Sequence, residues 1–225
     1  MKRLYILVIL ILALSVSGCK KEETIKIAQL NPEAKTKSMK ISVKDYGTIS
    51  FKLYHELEPK VVDKFTELCE KGFYKGKSIY TIIEDYVLLA GSRERAENTQ
   101  SFTSGDFTHL LPFYGALCAN LLEDDECNLS SFYIINNSKD NIAELEKLVA
   151  HKGYSLADYI KFGYKVELFE DELDLYRERG GAPWLYGHTV VFGQMTDGYE
   201  ILDEIVKAHS EDEDSEFIIE NITID

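Results

Sequence analysis

Apolar and polar residues alternate in short runs along most of this chain, and a turn ends each run. Met39, Ile41 and Val43 alternate with polar residues, and Ile49, Phe51 and Leu53 repeat the pattern after Asp45-Tyr46-Gly47. A period of two puts one set of side chains on one face of a strand, so these runs form a hairpin with one buried face. Residues 79–83, 86–90, 116–119, 132–135, 188–195 and 217–224 are further apolar stretches with strand character. Two segments have helical spacing instead. In the first, Pro59 suits an opening turn, Val61, Val62, Phe65, Leu68 and Cys69 share one face, and Gly72 supplies the stop. In the second, Tyr199 to Ala208, Ile201, Leu202, Ile205 and Val206 lie on one side. Many antiparallel strands can hide their edges by closing on themselves, with helices over the ends. The expected fold is therefore mainly β, a closed antiparallel barrel capped by two helices.

The N-terminal end has a different character. Met1-Lys2-Arg3 precedes an apolar run from Leu4 to Val16, and Ser17-Gly18-Cys19 follows. Thirteen residues are too few for a bilayer core, which takes roughly 20. A basic start, a short apolar centre and small residues describe an export signal, residues 1–18. Val16-Ser17-Gly18-Cys19 resembles the bacterial lipobox, in which the cysteine thiol is lipidated and becomes the new N-terminus. Lys20-Lys21-Glu22-Glu23 turns polar directly afterwards. Residues 19–38 mix charges and small polar residues without a period, as a tether would. The domain is expected over 39–225.

Formal charge narrows the partners. The chain carries −14, and losing Lys2 and Arg3 with the leader makes it −16. Such a surface repels nucleic-acid phosphates and anionic headgroups. The expectation is no nucleic-acid role, and a membrane reached only through a lipid on Cys19. The acidic runs Glu123–Glu126 and Glu211–Glu216 lack the spacing of a calcium loop. Cys69, Cys118 and Cys127 have no metal-ligand spacing. Cys118 and Cys127 flank a short polar loop, and a disulfide between them and buried free thiols are both open, since export permits disulfides.

From Gly47 to Gly91 the chain resembles the first half of a cyclophilin, the barrel family of peptidyl-prolyl cis-trans isomerases. The matching pieces are Gly47-Thr48-Ile49 with its alternation, Pro59 opening a helix, Gly72-Phe73-Tyr74 with Gly76, and the apolar strands that end at Gly91. Later matches are Ala119-Asn120, Asn128 to Ile134, Trp184-Leu185-Tyr186-Gly187, and Val190-Val191-Phe192-Gly193. The resemblance covers about residues 39–136 and 180–225. It implies eight antiparallel strands with a helix over each open end. Between Ile134 and Trp184 stand 49 residues, far more than compact cyclophilins place there. Ile142, Leu145, Leu148 and Val149, then Leu156, Tyr159 and Ile160, then Leu168, Leu173 and Tyr176, have helical spacing. They suggest an insertion of two or three helices over about 137–180, either a surface decoration or else a lid or second binding surface beside the groove.

The resemblance also implies a substrate groove. The family's catalytic arginine falls on Thr81, which is short and neutral and cannot offer a charged fork. A family glutamine that supports the arginine falls on Leu89. Positions that line the groove fall on Tyr86, Val87, Ser131, Tyr133, Trp184 and Leu185, and the segment that pairs with substrate backbone falls on Ala119 and Asn120. The pocket histidine falls on Thr189, with His188 one place early; either Thr189 holds the position, or a one-residue deletion in the alignment brings His188 into it. Arg93 and Arg95 follow Gly91, either as a substitute cation or as solvated charges. No metal, nucleotide or redox cofactor is needed. The implied activity is proline isomerisation in proline-containing peptides or unfolded exported proteins, weakened by the loss at Thr81. The implied location is the extracytoplasmic side of a bacterial membrane. The alternative is a lipoprotein that binds prolyl peptides or proteins without turning them over.

Overall fold

The hairpin read from Met39 to Leu53 forms strands β1 (Lys37–Val43) and β2 (Gly47–Leu53), in an antiparallel ladder from Lys37↔Leu53 to Val43↔Gly47. A computed structural model describes residues 28–31, 34–94, 102–103, 110–121 and 126–225. The other strands are β3 (Ser78–Ile83), β4 (Val87–Gly91), the two-residue β5 (Phe102–Thr103), β6 (Ala116–Leu121), β7 (Glu126–Ile135), β8 (Thr189–Asp197) and β9 (Phe217–Ile224). Around the sheet the order is β4-β3-β9-β1-β2-β8-β6-β7, and β7 pairs back onto β4. Every pairing is antiparallel. The result is a closed eight-stranded barrel, with β5 attached outside the ring to β7.

Alternation fills the interior. Met39, Ile41, Val43, Ile49, Phe51, Leu53, Leu88, Ala90, Phe132, Ile134, Val190 and Phe192 belong to one buried cluster. Helices α1 (Pro59–Glu70) and α5 (Tyr199–Glu211) add their apolar faces to it, through Val61, Val62, Phe65 and Leu68 and through Leu202 and Ile205. Phe65 is fully buried and packs its ring on Tyr74, Phe132 and Phe192 at 5.0–5.5 Å between centroids. Such tilted and edge-on pairs add to the transfer energy of the rings themselves.

One expectation is corrected and one open alternative is settled. The domain begins before residue 39. A short 3₁₀ turn, Ala28–Leu30, buries Gln29, whose amide donates to the Leu111 carbonyl at 2.9 Å and accepts from the Leu111 N–H at 2.5 Å. Further along, the Lys35 N–H donates to the Glu56 carboxylate at 2.7 Å. Isolated bonds of this kind leave no period to detect, and residues 28–38 are not simply tether. The leader, Cys19, Arg95 and residues 123–125 lie outside the described residues. Second, Cys118 and Cys127 do not pair. Cys127 faces the barrel interior, whereas Cys118 belongs to a cluster on the outer face, and both thiols are free. Adjacent strands put them on opposite sides of one sheet.

The segment between β7 and β8 holds three helices: α2 (Lys139–His151), α3 (Leu156–Tyr164) and α4 (Glu170–Arg179). Ser138 and Ser155 cap the first two by accepting a backbone N–H three residues on. Ile142, Leu156, Ile160, Val166 and Leu173 give these helices their own small core. Their two ends meet in a narrow neck. Asn137 and Gly181 exchange two hydrogen bonds, from the Gly181 N–H at 2.8 Å and from the Asn137 side-chain amide at 2.7 Å. Gly181 has φ +127°, and a Cβ there would lie 2.4 Å from the Pro112 carbonyl oxygen. Both conditions demand glycine. Gly181→Ala is expected to lower the unfolding free energy by about 2 kcal/mol or more, measured as a shift of the urea midpoint.

Candidate functional site

One row of register partners crosses five strands on the outer face. Thr81 of β3 lies opposite Leu89 of β4, Leu89 opposite Tyr133 of β7, Tyr133 opposite Cys118 of β6, and Cys118 opposite Val191 of β8. Two bulges make this alignment possible. One falls between Ile79 and Thr81 and the other between Leu117 and Cys118. A bulge adds a residue and re-aims the side chains beyond it. Ile79 and Ile82 both pack on the interior, and the extra residue between them lets Thr81 share the face of Leu89. The row grades from half-buried Thr81 to fully buried Cys118 and Val191.

Around the row, Tyr54, Val87, Leu110, Ala116, Ile135 and Ala182 are buried in the same cluster, with Leu57, Tyr86, Leu89, Trp184 and Leu185 half-exposed at its margin. Tyr86 ends the β3–β4 hairpin, where Asp85 turns through φ +56° and the Asn136 N–H donates to the Tyr86 carbonyl at 2.7 Å. Trp184 and Leu185 lie in a 3₁₀ turn, Pro183–Leu185, immediately after the neck. The rings of Tyr86 and Trp184 are 6.2 Å apart. Thus Tyr86, Val87, Tyr133, Trp184 and Leu185 converge with Leu89 as one apolar surface.

Hydrogen bonding closes the centre of that surface. The Tyr133 hydroxyl donates to the Thr189 hydroxyl, which donates to the Ala119 carbonyl at 3.0 Å. Both side chains are buried, so each bond satisfies a group that water does not reach. Burial pushes the Tyr133 phenol well above its ordinary range, and burial likewise pushes the Cys118 thiol up. At neutral pH the row from Thr81 to Val191 therefore carries no formal charge. An apolar surface can grip a proline ring, but the row offers no charged donor to a twisting amide nitrogen.

Several expected site residues lie elsewhere. His188 is exposed and precedes β8, so the pocket position belongs to Thr189. Alternation gives the reason: Val190 and Phe192 face inward, Val191 faces outward, and Thr189 shares the parity of Val191. Ala119 is buried in the interior between β7 and β8, and its carbonyl accepts the Thr189 hydroxyl, so its side chain is not part of the groove. Asn120 sits at a bulge with its backbone opposite Thr189 and Asn128. Ser131 lies opposite Gly91, half-buried, two residues from Tyr133 on the same face. Arg93 is no substitute cation in the groove. Its guanidinium lies over the Tyr80 ring at 5.2 Å and donates to the Tyr80 carbonyl at 2.9 Å. The cleft it lines with Ile79, His209 and Phe217 shares no residue with the apolar cluster.

Sequence reasoning missed Tyr164. This last residue of α3 places its ring 5.9 Å from Trp184. Its position four residues after Ile160 was the available signal, because residues four apart share a helix face.

The fold agrees with what the chain is similar to. The family model described as "Cyclophilin type peptidyl-prolyl cis-trans isomerase/CLD" matches residues 38–225. The chain belongs to the cyclophilin-type peptidyl-prolyl cis-trans isomerase family. A protein of Staphylococcus aureus (strain USA300), provisionally named a peptidyl-prolyl cis-trans isomerase, is 27% identical over 208 residues, spanning 88% of this chain and 97% of the relative. A Staphylococcus epidermidis protein with the same provisional name is 25% identical over 213 residues, with the same coverage. The crystal structure of a Cryptosporidium parvum cyclophilin type peptidyl-prolyl cis-trans isomerase, solved in the presence of the dipeptide Ala-Pro, superposes with a TM-score of 0.57 at 20% identity. It covers 84% of this chain and 98% of that one, and supports the fold.

The Tyr133–Thr189 bond makes a testable asymmetry. Thr189→Val leaves the buried Tyr133 hydroxyl without its acceptor and is expected to cost about 1–3 kcal/mol. Tyr133→Phe leaves Thr189 bonded to Ala119 and is expected to cost only about 0.5–1.5 kcal/mol. The double variant should lose less than the sum of the two, a coupling that urea unfolding of all four proteins measures.

Proposed function

We propose that this chain is an exported, lipid-anchored prolyl-peptide isomerase of low turnover, acting on proline-containing segments of unfolded exported proteins. A prolyl ring would rest on Tyr86, Leu89, Trp184 and Leu185. The observation that carries this reading is the row Thr81–Leu89–Tyr133, in which the apolar surface is kept and the cation and its amide support are both absent. Rotation about a peptide bond faces a barrier of about 18–20 kcal/mol. An apolar surface that holds the ring desolvates the amide and lowers part of that barrier. A charged donor to the nitrogen lowers it further, and removal of one such donor costs on the order of 10²–10³ in rate.

A second reading, a peptide binder without turnover, is favoured by the Tyr133–Thr189–Ala119 chain, which commits the polar groups at the centre to one another. One experiment separates the two. In a protease-coupled prolyl-peptide assay, Thr81→Arg should raise kcat/KM at least about tenfold, part of the donor's usual worth because Leu89 cannot buttress the guanidinium. Trp184→Ala should abolish the remaining activity. Wild-type turnover within tenfold of an arginine-bearing cyclophilin would overturn low turnover. No turnover in either the wild type or Thr81→Arg, with peptide binding retained, would favour the binder.

The location rests on the leader of residues 1–18 and on Cys19. Thioether-linked lipid holds more firmly with several acyl chains than with one. Cys19→Ser is expected to move the protein from the membrane fraction to the soluble one and to eliminate the lipid mass from its N-terminal peptide. An unchanged distribution would reject the anchor.

A further inference from the structure

A ladder of aromatic rings joins the three-helix insertion to the groove. Tyr86 meets Trp184 at 6.2 Å, Trp184 meets Tyr164 at 5.9 Å, and Tyr164 meets Tyr159 at 5.8 Å. Trp184 belongs both to the groove cluster and to the core of the insertion. The Asn141 amide of α2 also donates to the Asp85 carboxylate at 2.8 Å, in the turn that precedes Tyr86 in sequence. The insertion therefore contacts the groove at Trp184 and the β3–β4 turn at Asp85.

Tyr164 is not spent on this docking. Tyr176 of the same insertion is completely buried, whereas Tyr164 remains 40% exposed and Phe162 beside it 62% exposed. Its position is nonetheless set. Lys165 ends α3 in a left-handed conformation, φ +64°, and the Tyr159 and Tyr164 hydroxyls are 3.4 Å apart. The ring planes of Trp184 and Tyr164 are tilted by 31° and both rings keep exposed surface, against which a third ring can pack.

We infer that Tyr164 and Trp184 form an added subsite, which takes an aromatic side chain of the same peptide whose proline lies in the groove. The inference rests on the groove reading above and names its preferred substrate. Continuity through Trp184 argues for that occupant, and geometry limits it. The two ring steps put Tyr164 no more than about 12 Å from Tyr86, the reach of three or four extended residues. The aromatic residue should thus stand within about three positions of the proline.

Calorimetric titration of the full chain with synthetic peptides tests this. One peptide has a single proline flanked by alanines, and its variants carry phenylalanine one, two or three positions before or after the proline. Phenylalanine on one side is expected to tighten binding about three- to tenfold, the range of an aromatic pair. Tyr164→Ala should erase that gain. So should Tyr164→Leu, which keeps apolar contact with Trp184 but has no ring, while Tyr164→Phe should retain it. If the alanine peptide binds and phenylalanine adds nothing at any position, or if the gain survives in Tyr164→Leu, the subsite is rejected and the groove reading stands. If no peptide binds, both are rejected.

Discussion

The pairing of β7 with β4 turns a curved sheet into a barrel, and the site depends on that closure. Its register runs from Val87↔Ile135 to Gly91↔Ser131. Because side chains alternate along both strands, this register puts Leu88 and Ala90 inside with Phe132 and Ile134, and Leu89 outside with Tyr133. A slip by one residue would exchange the two sets and turn the groove face inward. The same pairing brings Thr81 and Cys118, on strands far apart in sequence, into one row. Packing around Phe65 makes the register costly to change, since a slip would separate that ring from Phe132 and Phe192.

Given that frame, the changes along the groove explain one another. A tyrosine in place of an apolar ring at position 133 brings a hydroxyl into a buried site, and the Thr189 hydroxyl accepts its hydrogen bond and donates one to the Ala119 carbonyl. A histidine there would add bulk and a titratable nitrogen where a short hydroxyl already completes the chain. Leu89 stands between Thr81 and Tyr133 and needs no polar partner from either. A glutamine at 89 would stand beside a threonine, with no guanidinium to donate to its amide oxygen, so the amide would lose the partner that could order it at this half-exposed position. The neutral state of the row is therefore self-consistent, and a single polar substitution into it disturbs its neighbours.

Periodicity makes the strands, the two capping helices and the helices of the insertion legible, because each buries one face and the period is set by backbone geometry. Closure is legible only through the family resemblance, since no residue in β4 or β7 names its partner. What escapes the sequence is the part that depends on a single bond or a single extra residue. His188 and Thr189 differ by one place, and only the onset of β8 decides which one faces Tyr133. Gln29 holds an otherwise featureless segment by one amide. Cys118 and Cys127 are near in sequence, yet the register shift where β7 carries extra residues opposite Ala119 and Asn120, together with strand alternation, leaves them on opposite faces. Arg93 follows a strand that borders the groove but folds back onto Tyr80.

The insertion illustrates how a decorated loop alters a site without entering the barrel. Its neck is narrow enough that Gly181 alone fits between Pro112 and the chain, so the three helices leave and return at one point beside Trp184. A long connection anchored at one point has orientational freedom unless something else fixes it. Here the second contacts are Asn141 on Asp85 and Tyr164 on Trp184. Both belong to one body, since α2, α3 and α4 share a core. The insertion thus meets Trp184 from outside the barrel, through a body that has a core of its own.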